Sequence, residues 1–233
     1  MTTTPSPANI PAAVAEAIRS RRSIRRFLPA PVPRETLEAL LELAARAPSG
    51  TNVQPWKVYA LAGSAREALS SAILEDYASG RKAEREFDYY PREWSEPWLS
   101  RRRKVGLGLY QLLGIAKGDK ERMTEQTGRN YRFFDAPVGL ILTMNRQLGR
   151  GMFLDYGIFI GNFITAARSL GLDTCVQAAF ADYPETIRKT LGIGAEEIIV
   201  CGIALGHADP DAPENQLVTE REPVAAFTEF RGF

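Results

Sequence analysis

Apolar residues recur along this chain in two rhythms. Val14 and Ile18 stand four apart, and Leu37, Leu40, Leu41 and Ala44 form one stripe behind Pro33-Arg34-Glu35; both spacings predict amphipathic helices. Pro48 and Gly50 end the second helix, and residues 57–61 follow as a short alternating strand. A helix over 64–77 comes next. Beyond it the pattern predicts a strand over 137–144, a long core helix over 152–170 and a strand over 174–178. A helix then runs from Pro184 to Leu191, before a strand over 197–205 with Ile198, Ile199, Val200 and Ile203. The charged run Arg101 to Lys104 starts one more helix, continued by Leu107, Leu109, Leu112 and Leu113. Strands and helices interleave without regular βα repeats, which predicts a layered α+β domain rather than a barrel or a doubly wound sheet.

Two stretches break the rhythm. Residues 85–103 mix Phe87, Tyr89, Tyr90, Trp94 and Trp98 with many charges and with Pro91 and Pro97; they either line a pocket for planar molecules or pin a surface excursion to the body. Residues 216–233 are too polar for a core of their own, yet Phe227, Phe230 and Phe233 recur every three residues, so the tail is expected to dock. Residues 1–9, rich in Ser, Thr and Pro and without a signal-peptide pattern, read as a loose arm before a single domain over 10–233.

Composition narrows the chemistry. The 233 residues are 45% hydrophobic and 24% charged, as in one large globular domain, and the net charge of +1 supplies no global field for nucleic acid or an anionic membrane. Asp155, Asn162 and Arg168 interrupt the most apolar stretch, so it reads as a core helix and not a membrane span. Cys175 and Cys201 lack metal-ligand spacing and read as thiols of a cytoplasmic protein; with His207 the single histidine, His-cluster metal sites are excluded. Gln111 stands where the third glycine of a dinucleotide-binding turn would follow Gly106 and Gly108. Asp209, Asp211 and Glu214 lie among prolines without a loop glycine, which describes a turn better than a calcium loop.

The most informative residues flank the second helix. Arg21-Arg22-Ser23-Ile24-Arg25-Arg26-Phe27 gathers guanidiniums around an apolar anchor, and Pro48-Ser49-Gly50-Thr51-Asn52-Val53-Gln54-Pro55-Trp56 offers small residues and carboxamides. Arginine matches phosphate oxygens with a rigid donor fork, while Asn and Gln present donor and acceptor together to a ring edge of alternating polarity. Either segment alone fits a solvated basic face or an ordinary connection; together they suit a phosphorylated planar cofactor such as FMN.

The R-R-S-x-R-x-F and P-S-G-x-N-x-Q-P-W segments resemble those of the nitroreductase family of FMN-dependent oxidoreductases. Further matches lie at Asp135-Ala136-Pro137, Leu170-Gly171-Leu172-Asp173-Thr174 and Thr219-Glu220-Arg221-Glu222-Pro223, so the similarity covers most of the chain, and the branch acting on nitrobenzoates and other nitroaromatics is the most similar. The resemblance implies a three-layer α/β/α domain around a central, mostly antiparallel sheet, in an intertwined homodimer burying on the order of 2,000 Å² or more. It implies FMN contacts from Arg21, Arg22, Ser23, Arg25 and Arg221, from backbone at Ala178 and Ala179, and from Pro48, Ser49, Gly50, Asn52 and Gln54 reaching into the other subunit's site. Thr219 stands where relatives often carry Lys, and Gln177-Ala178-Ala179 where many carry an acidic residue and glycine. Residues 85–104 would form a lid, with Tyr89, Trp94, Trp98 and Phe134 as substrate-pocket candidates, and the tail would dock on the partner subunit.

The activity so implied is reduction of nitroaromatics by NAD(P)H in two half-steps, from nitro through nitroso to hydroxylamine, with no protein nucleophile or metal. Similar scaffolds act on quinones, enals or halogenated aromatics, which leaves a second reading. A third, a nucleic-acid-binding module built on Arg21–Arg26 and Arg101–Lys104, predicts steeply salt-dependent binding.

Overall fold

The computed structural model describes residues 11–81 and 84–232; the expected arm over 1–9 and Phe233 lie outside them. The elements in order are α1 (Ala12–Ser20), α2 (Arg34–Ala44), β1 (Lys57–Ala62), α3 (Gly63–Ala78), α4 (Trp98–Leu112), α5 (Lys120–Gly128), β2 (Val138–Asn145), α6 (Met152–Ser169), β3 (Asp173–Gln177), α7 (Pro184–Leu191) and β4 (Glu197–Gly206). The strands form one sheet in the order β1-β2-β4-β3, every neighbour antiparallel.

Helices cover both faces, giving the expected α/β/α layering. Because β2 alternates, Leu140, Leu142 and Met144 face one core with Leu40 and Ala44 of α2 and Phe159 and Phe163 of α6. Ile141 faces the other, with Leu69 and Ile73 of α3 and Ile187 of α7. A sheet covered on both sides has central strands apolar throughout, which is why β4 is buried along its whole length. Each fully buried Leu, Ile or Phe contributes about 1.5–3 kcal/mol by leaving water.

In the second core Phe133 stacks on Phe180 at 4.3 Å, the two rings lying directly over the sheet. Two strand glycines make room: a Cβ on Gly139 would stand 2.6 Å from Phe133, and one on Gly202 2.3 Å from Phe180. Phe133 begins a run of three left-handed residues, with φ of +52°, +53° and +67° at Phe133, Phe134 and Asp135. Such conformations cost on the order of 1–3 kcal/mol each outside glycine. The Asp135 carboxylate holds the turn by pairing with Arg26 at 2.7 Å, Arg132 at 2.8 Å and Arg129 at 3.3 Å.

The expected elements are present, with three differences. α4 begins at Trp98, three residues before the charged run, and buries none of its residues. α5 had no apolar rhythm to announce it; its start is fixed by the Asp119 carboxylate accepting from the Arg122 N–H at 3.1 Å. The Val14 and Ile18 stripe of α1 faces outward, and Ala17 is that helix's buried residue.

Candidate active site

α1 delivers the chain to the edge of the sheet, where Arg21 adopts an extended backbone and Ser23 bridges to Thr174 of β3. Ile24, almost wholly buried, pins the segment while its N–H donates to the Thr174 carbonyl at 3.0 Å. The guanidiniums then divide. Arg22 donates to the Asn215 carbonyl at 2.9 Å, and Arg26 pairs with Asp135, so both are turned to the protein. Arg21, Arg25 and Arg221 have no carboxylate partner among the described residues; Arg25 and Arg221 donate to nearby backbone oxygens, and Arg221 also to the Thr219 hydroxyl at 2.8 Å. Burial, and next the charge of Arg221, lower the pKa of Arg21. Partly desolvated like charges brought together disfavour their own charged forms, and an anion between them reverses that penalty.

Two hollows share the outward face of β3. One, of about 380 Å³, is lined by Arg25, Asn130, Phe134, Gln177, Ala178 and Ala179 among others; the second, of about 430 Å³, has aromatic walls from Phe87, Tyr89, Phe153 and Tyr156. Val176 and Ala178 line both, and Val176 is 39% exposed, so this strand makes their common floor. The first hollow contains polar atoms in want of partners. Gln177 donates through Nε2 to the Asn130 carbonyl at 2.8 Å, but its buried Oε1 accepts nothing from the described residues, and buried Nε2 of Gln126 is likewise unpaired. Unmet carboxamide groups cost about 1–3 kcal/mol each unless a ligand or water meets them. Burial pushes Cys175 beside this hollow up to about 11 and Cys201 beside the other to about 12, which leaves both thiols protonated and unreactive.

Residues 85–104 do both things the composition allowed. Glu86 anchors the excursion, its carboxylate accepting from Arg146, Arg188 and the Ile199 N–H at 3.1 Å. Burial alone would raise this carboxyl, yet the two guanidiniums and the backbone bond leave it lowered. Phe87 packs on Phe153 at 4.8 Å, which brings Tyr89 to the wall of the larger hollow. Phe134 lines the smaller one. Trp94 lines neither, packing on Tyr90 at 5.6 Å beneath the Arg102 guanidinium, and Trp98 is exposed at the start of α4.

The carboxamide loop lies elsewhere. It leads into β1, the opposite edge of the sheet from β3, about 14 Å away at three strand spacings. The Gly50 N–H donates to Asp155 of α6 and the Gln54 N–H to the Ser49 hydroxyl, both at 3.0 Å. Thr51, Asn52 and Gln54 hold positive φ, and Asn52 and Gln54 are exposed. A single chain therefore does not bring Pro48, Ser49, Gly50, Asn52 and Gln54 to the arginine cluster.

The family model described as Nitroreductase family matches residues 18–207. The chain belongs to the nitroreductase family. It is 44% identical to a 4-nitrobenzoate reductase of Nocardioides sp. over 89% of this chain and 85% of that protein, and 38% identical to a nitrobenzene nitroreductase of Ectopseudomonas oleovorans over 92% and 95%. Its fold superposes with a TM-score of 0.91 on the FMN and NADPH-dependent nitroreductase NfnB from Sphigopyxis sp. strain HMH, at 38% identity over 94% of this chain and 99% of that one. NfnB from Mycobacterium smegmatis, solved in complex with NADPH, gives 0.89 at 32% identity over 94% and 98%.

The sequence pattern had not singled out Gln126, Asn130 or Gln177, the carboxamides that line the smaller hollow. Gln126 sits on α5 and Asn130 in the turn after it, an unannounced region. The one available signal was a carboxamide, Gln177, at the end of the edge strand β3, just before the small Ala178 and Ala179.

Proposed function

We propose that this chain is an FMN-dependent oxidoreductase that uses NAD(P)H to reduce nitroaromatic compounds in two-electron steps. The observation that carries the reading is the cluster of Arg21, Arg25 and Arg221, unpaired by carboxylates, beside a hollow with orphaned carboxamide atoms. That donor set fits the group: guanidiniums for a phosphate, Oε1 of Gln177 as acceptor for a ring N–H, and the small Ala178 and Ala179 where a planar edge must come close. When bound, FMN supplies the redox chemistry. The protein binds and orients.

Arg21 and Arg221, with the Ser23 hydroxyl, would hold the phosphate; Arg25 would add positive charge that stabilises negative charge developing in the hollow. Arg22 contributes by bracing the segment. Thr219, in place of a second cation, buttresses Arg221. The aromatic walls at Phe87, Tyr89 and Phe153 suit a flat acceptor, under a lid formed by residues 85–104 of the single domain.

A second copy would complete the site by bringing its Pro48, Ser49, Gly50, Asn52 and Gln54 to this arginine cluster, in the intertwined homodimer. Supporting this, Val14 and Ile18 of α1, Leu154 and Ile158 of α6 and Phe227 of the tail are exposed apolar groups that a partner would cover, the tail docking on it. A nucleic-acid module is poorly supported, since Arg101 and Lys104 already pair with Glu222 at 3.0 Å and Glu220 at 2.6 Å. Among the described residues no helix is long and apolar enough to cross a membrane.

The test is direct. Purified protein should be yellow and dimeric by sedimentation, bleach with NAD(P)H without oxygen, and regain colour on adding 4-nitrobenzoate or nitrobenzene. A colourless protein that takes up no FMN would sink the reading.

A further inference from the structure

Asn215 sits where the arginine segment changes neighbours. At Ile24 the chain is bonded to Thr174 of β3; by Arg26 it has crossed to residues 207–209, the Arg26 carbonyl accepting from the Asp209 N–H at 3.0 Å and Leu28 N–H donating to the His207 carbonyl at 2.9 Å. The crossing falls on Arg25. There the Asn215 side chain accepts from the Arg25 N–H at 2.8 Å and donates to the Arg26 carbonyl at 2.8 Å and the Asp209 carbonyl at 2.9 Å. In a flat strand the N–H of one residue and the carbonyl of the next point to opposite sides, so a single carboxamide can capture both only where the backbone bends. Both of its donors are used, and the side chain is almost wholly buried, 4% of the residue being exposed. Its own carbonyl also accepts from Arg22. Next to it Glu214, equally buried, pairs with Arg129, which also pairs with Asp135, the partner of Arg26.

We propose that Asn215 is a positioning residue for the anion-binding arginines: by clamping the bend at Arg25-Arg26 it sets where the Arg25 guanidinium points into the hollow. This rests on the FMN reading above. Neither aspartate nor alanine can replace it without loss. Aspartate keeps the acceptor for the Arg25 N–H but sets an oxygen against the Arg26 and Asp209 carbonyls, and alanine takes that partner from the Arg25 N–H and the Asp209 carbonyl and leaves the Arg26 carbonyl with the Asp209 N–H alone.

The experiment is a double-mutant cycle read as the Kd for FMN by fluorescence quenching, on protein stripped of flavin and shown to be folded by circular dichroism. Asn215→Ala and Arg25→Ala should each weaken FMN about tenfold, and the double variant should be no weaker than Arg25→Ala alone, because removing the clamp has nothing left to misplace. Losses that multiply, or Asn215→Ala binding FMN as tightly as the parent, overturn the proposal. Should Asn215→Ala fail to fold, Asn215→Asp is read in the same way; if neither folds, the residue serves stability and the proposal fails. A parent protein without affinity for FMN would instead sink the functional reading itself.

Discussion

The two edges of the sheet are built in opposite ways. At the β3 edge the arginine segment is knitted into the body by backbone bonds to Thr174, His207 and Asp209 and by the buried carboxamide of Asn215, so its free guanidiniums project from a rigid base. At the β1 edge residues 48–54 are exposed apart from the half-buried Ser49, carry three left-handed non-glycine residues, and are tied to the rest chiefly through Gly50 and Asp155. A clamp for a strongly hydrated anion needs fixed donors, since every loose one costs ordering entropy. A loop offered to a second molecule needs instead to hold its shape while projecting, and strained residues persist at an exposed tip where the surrounding structure holds them. The difference teaches that the arginine segment is fully braced within one chain, whereas the carboxamide loop stands apart from it at the far edge of the sheet, as the proposed sharing of the site between two copies requires.

The largest expected effect comes from breaking the rigid half. Arg21→Ala removes a charged donor worth about 1.5–3 kcal/mol, so FMN should bind roughly 10- to 150-fold more weakly and the purified protein should be paler. The fluorescence titration that yields Kd checks it, and unchanged retention would remove Arg21 from the phosphate site.

Next in size is the support beneath that half. Gly202→Ala drives a Cβ into Phe180, the ring just past Ala178 and Ala179, and overpacking of this kind costs on the order of 1–3 kcal/mol. Thermal unfolding should shift down by several degrees, and hydrogen exchange should rise around residues 178–182 while residues 48–54 stay as they were. A change spread equally over both edges would contradict the separation drawn here.

A smaller effect is expected from loosening the presented half. Asp155→Ala deprives the Gly50 N–H of its acceptor, a loss of about 1–3 kcal/mol spent on local order. If the loop serves a partner's site, FMN affinity falls a few-fold in the dimer with the same number of phosphate contacts, seen as an unchanged salt dependence. An altered salt slope would place the loop in the phosphate clamp after all.

How far the sequence disclosed all this differs between the same two halves. α2 was legible from its one apolar stripe, α6 as the most apolar stretch of the chain and α7 from Pro184 at its start, and β2 and β4 because strands covered on both faces are apolar throughout. The arginines and the carboxamide loop were legible as residue types. Their division was not: whether Arg22 or Arg25 stays free depends on Asn215, some 190 residues away, and no local pattern encodes such a bond. α5 escaped notice because Gln126 and Gly128 are its only buried residues, so its helicity rests on a cap and on packing rather than on rhythm. The left-handed run at Phe133 to Asp135 was invisible for a related reason. Phenylalanine has no taste for that conformation, and only the fit of its ring over Gly139, with three arginines around Asp135, imposes it.

The smallest effect concerns the wall that leans on the rigid half. Glu86 joins residues 85–104 to α7, to β4 and to the turn after β2 through Arg188, the Ile199 N–H and Arg146, and its carboxyl is held below the ordinary value of 4.5. A carboxylate lowered by folding contributes stability that is complete above its unfolded value and is lost as pH falls through its folded one. Acidification from about pH 4.5 downward should therefore release this anchor, and tryptophan fluorescence from Trp94 and Trp98 should report loosening of the excursion before the sheet unfolds. Glu86→Gln cannot ionise, so it should be less stable than the parent near neutrality and should converge with it in acid. Parallel pH–stability curves for the two proteins would show that Glu86 does not hold the wall by charge.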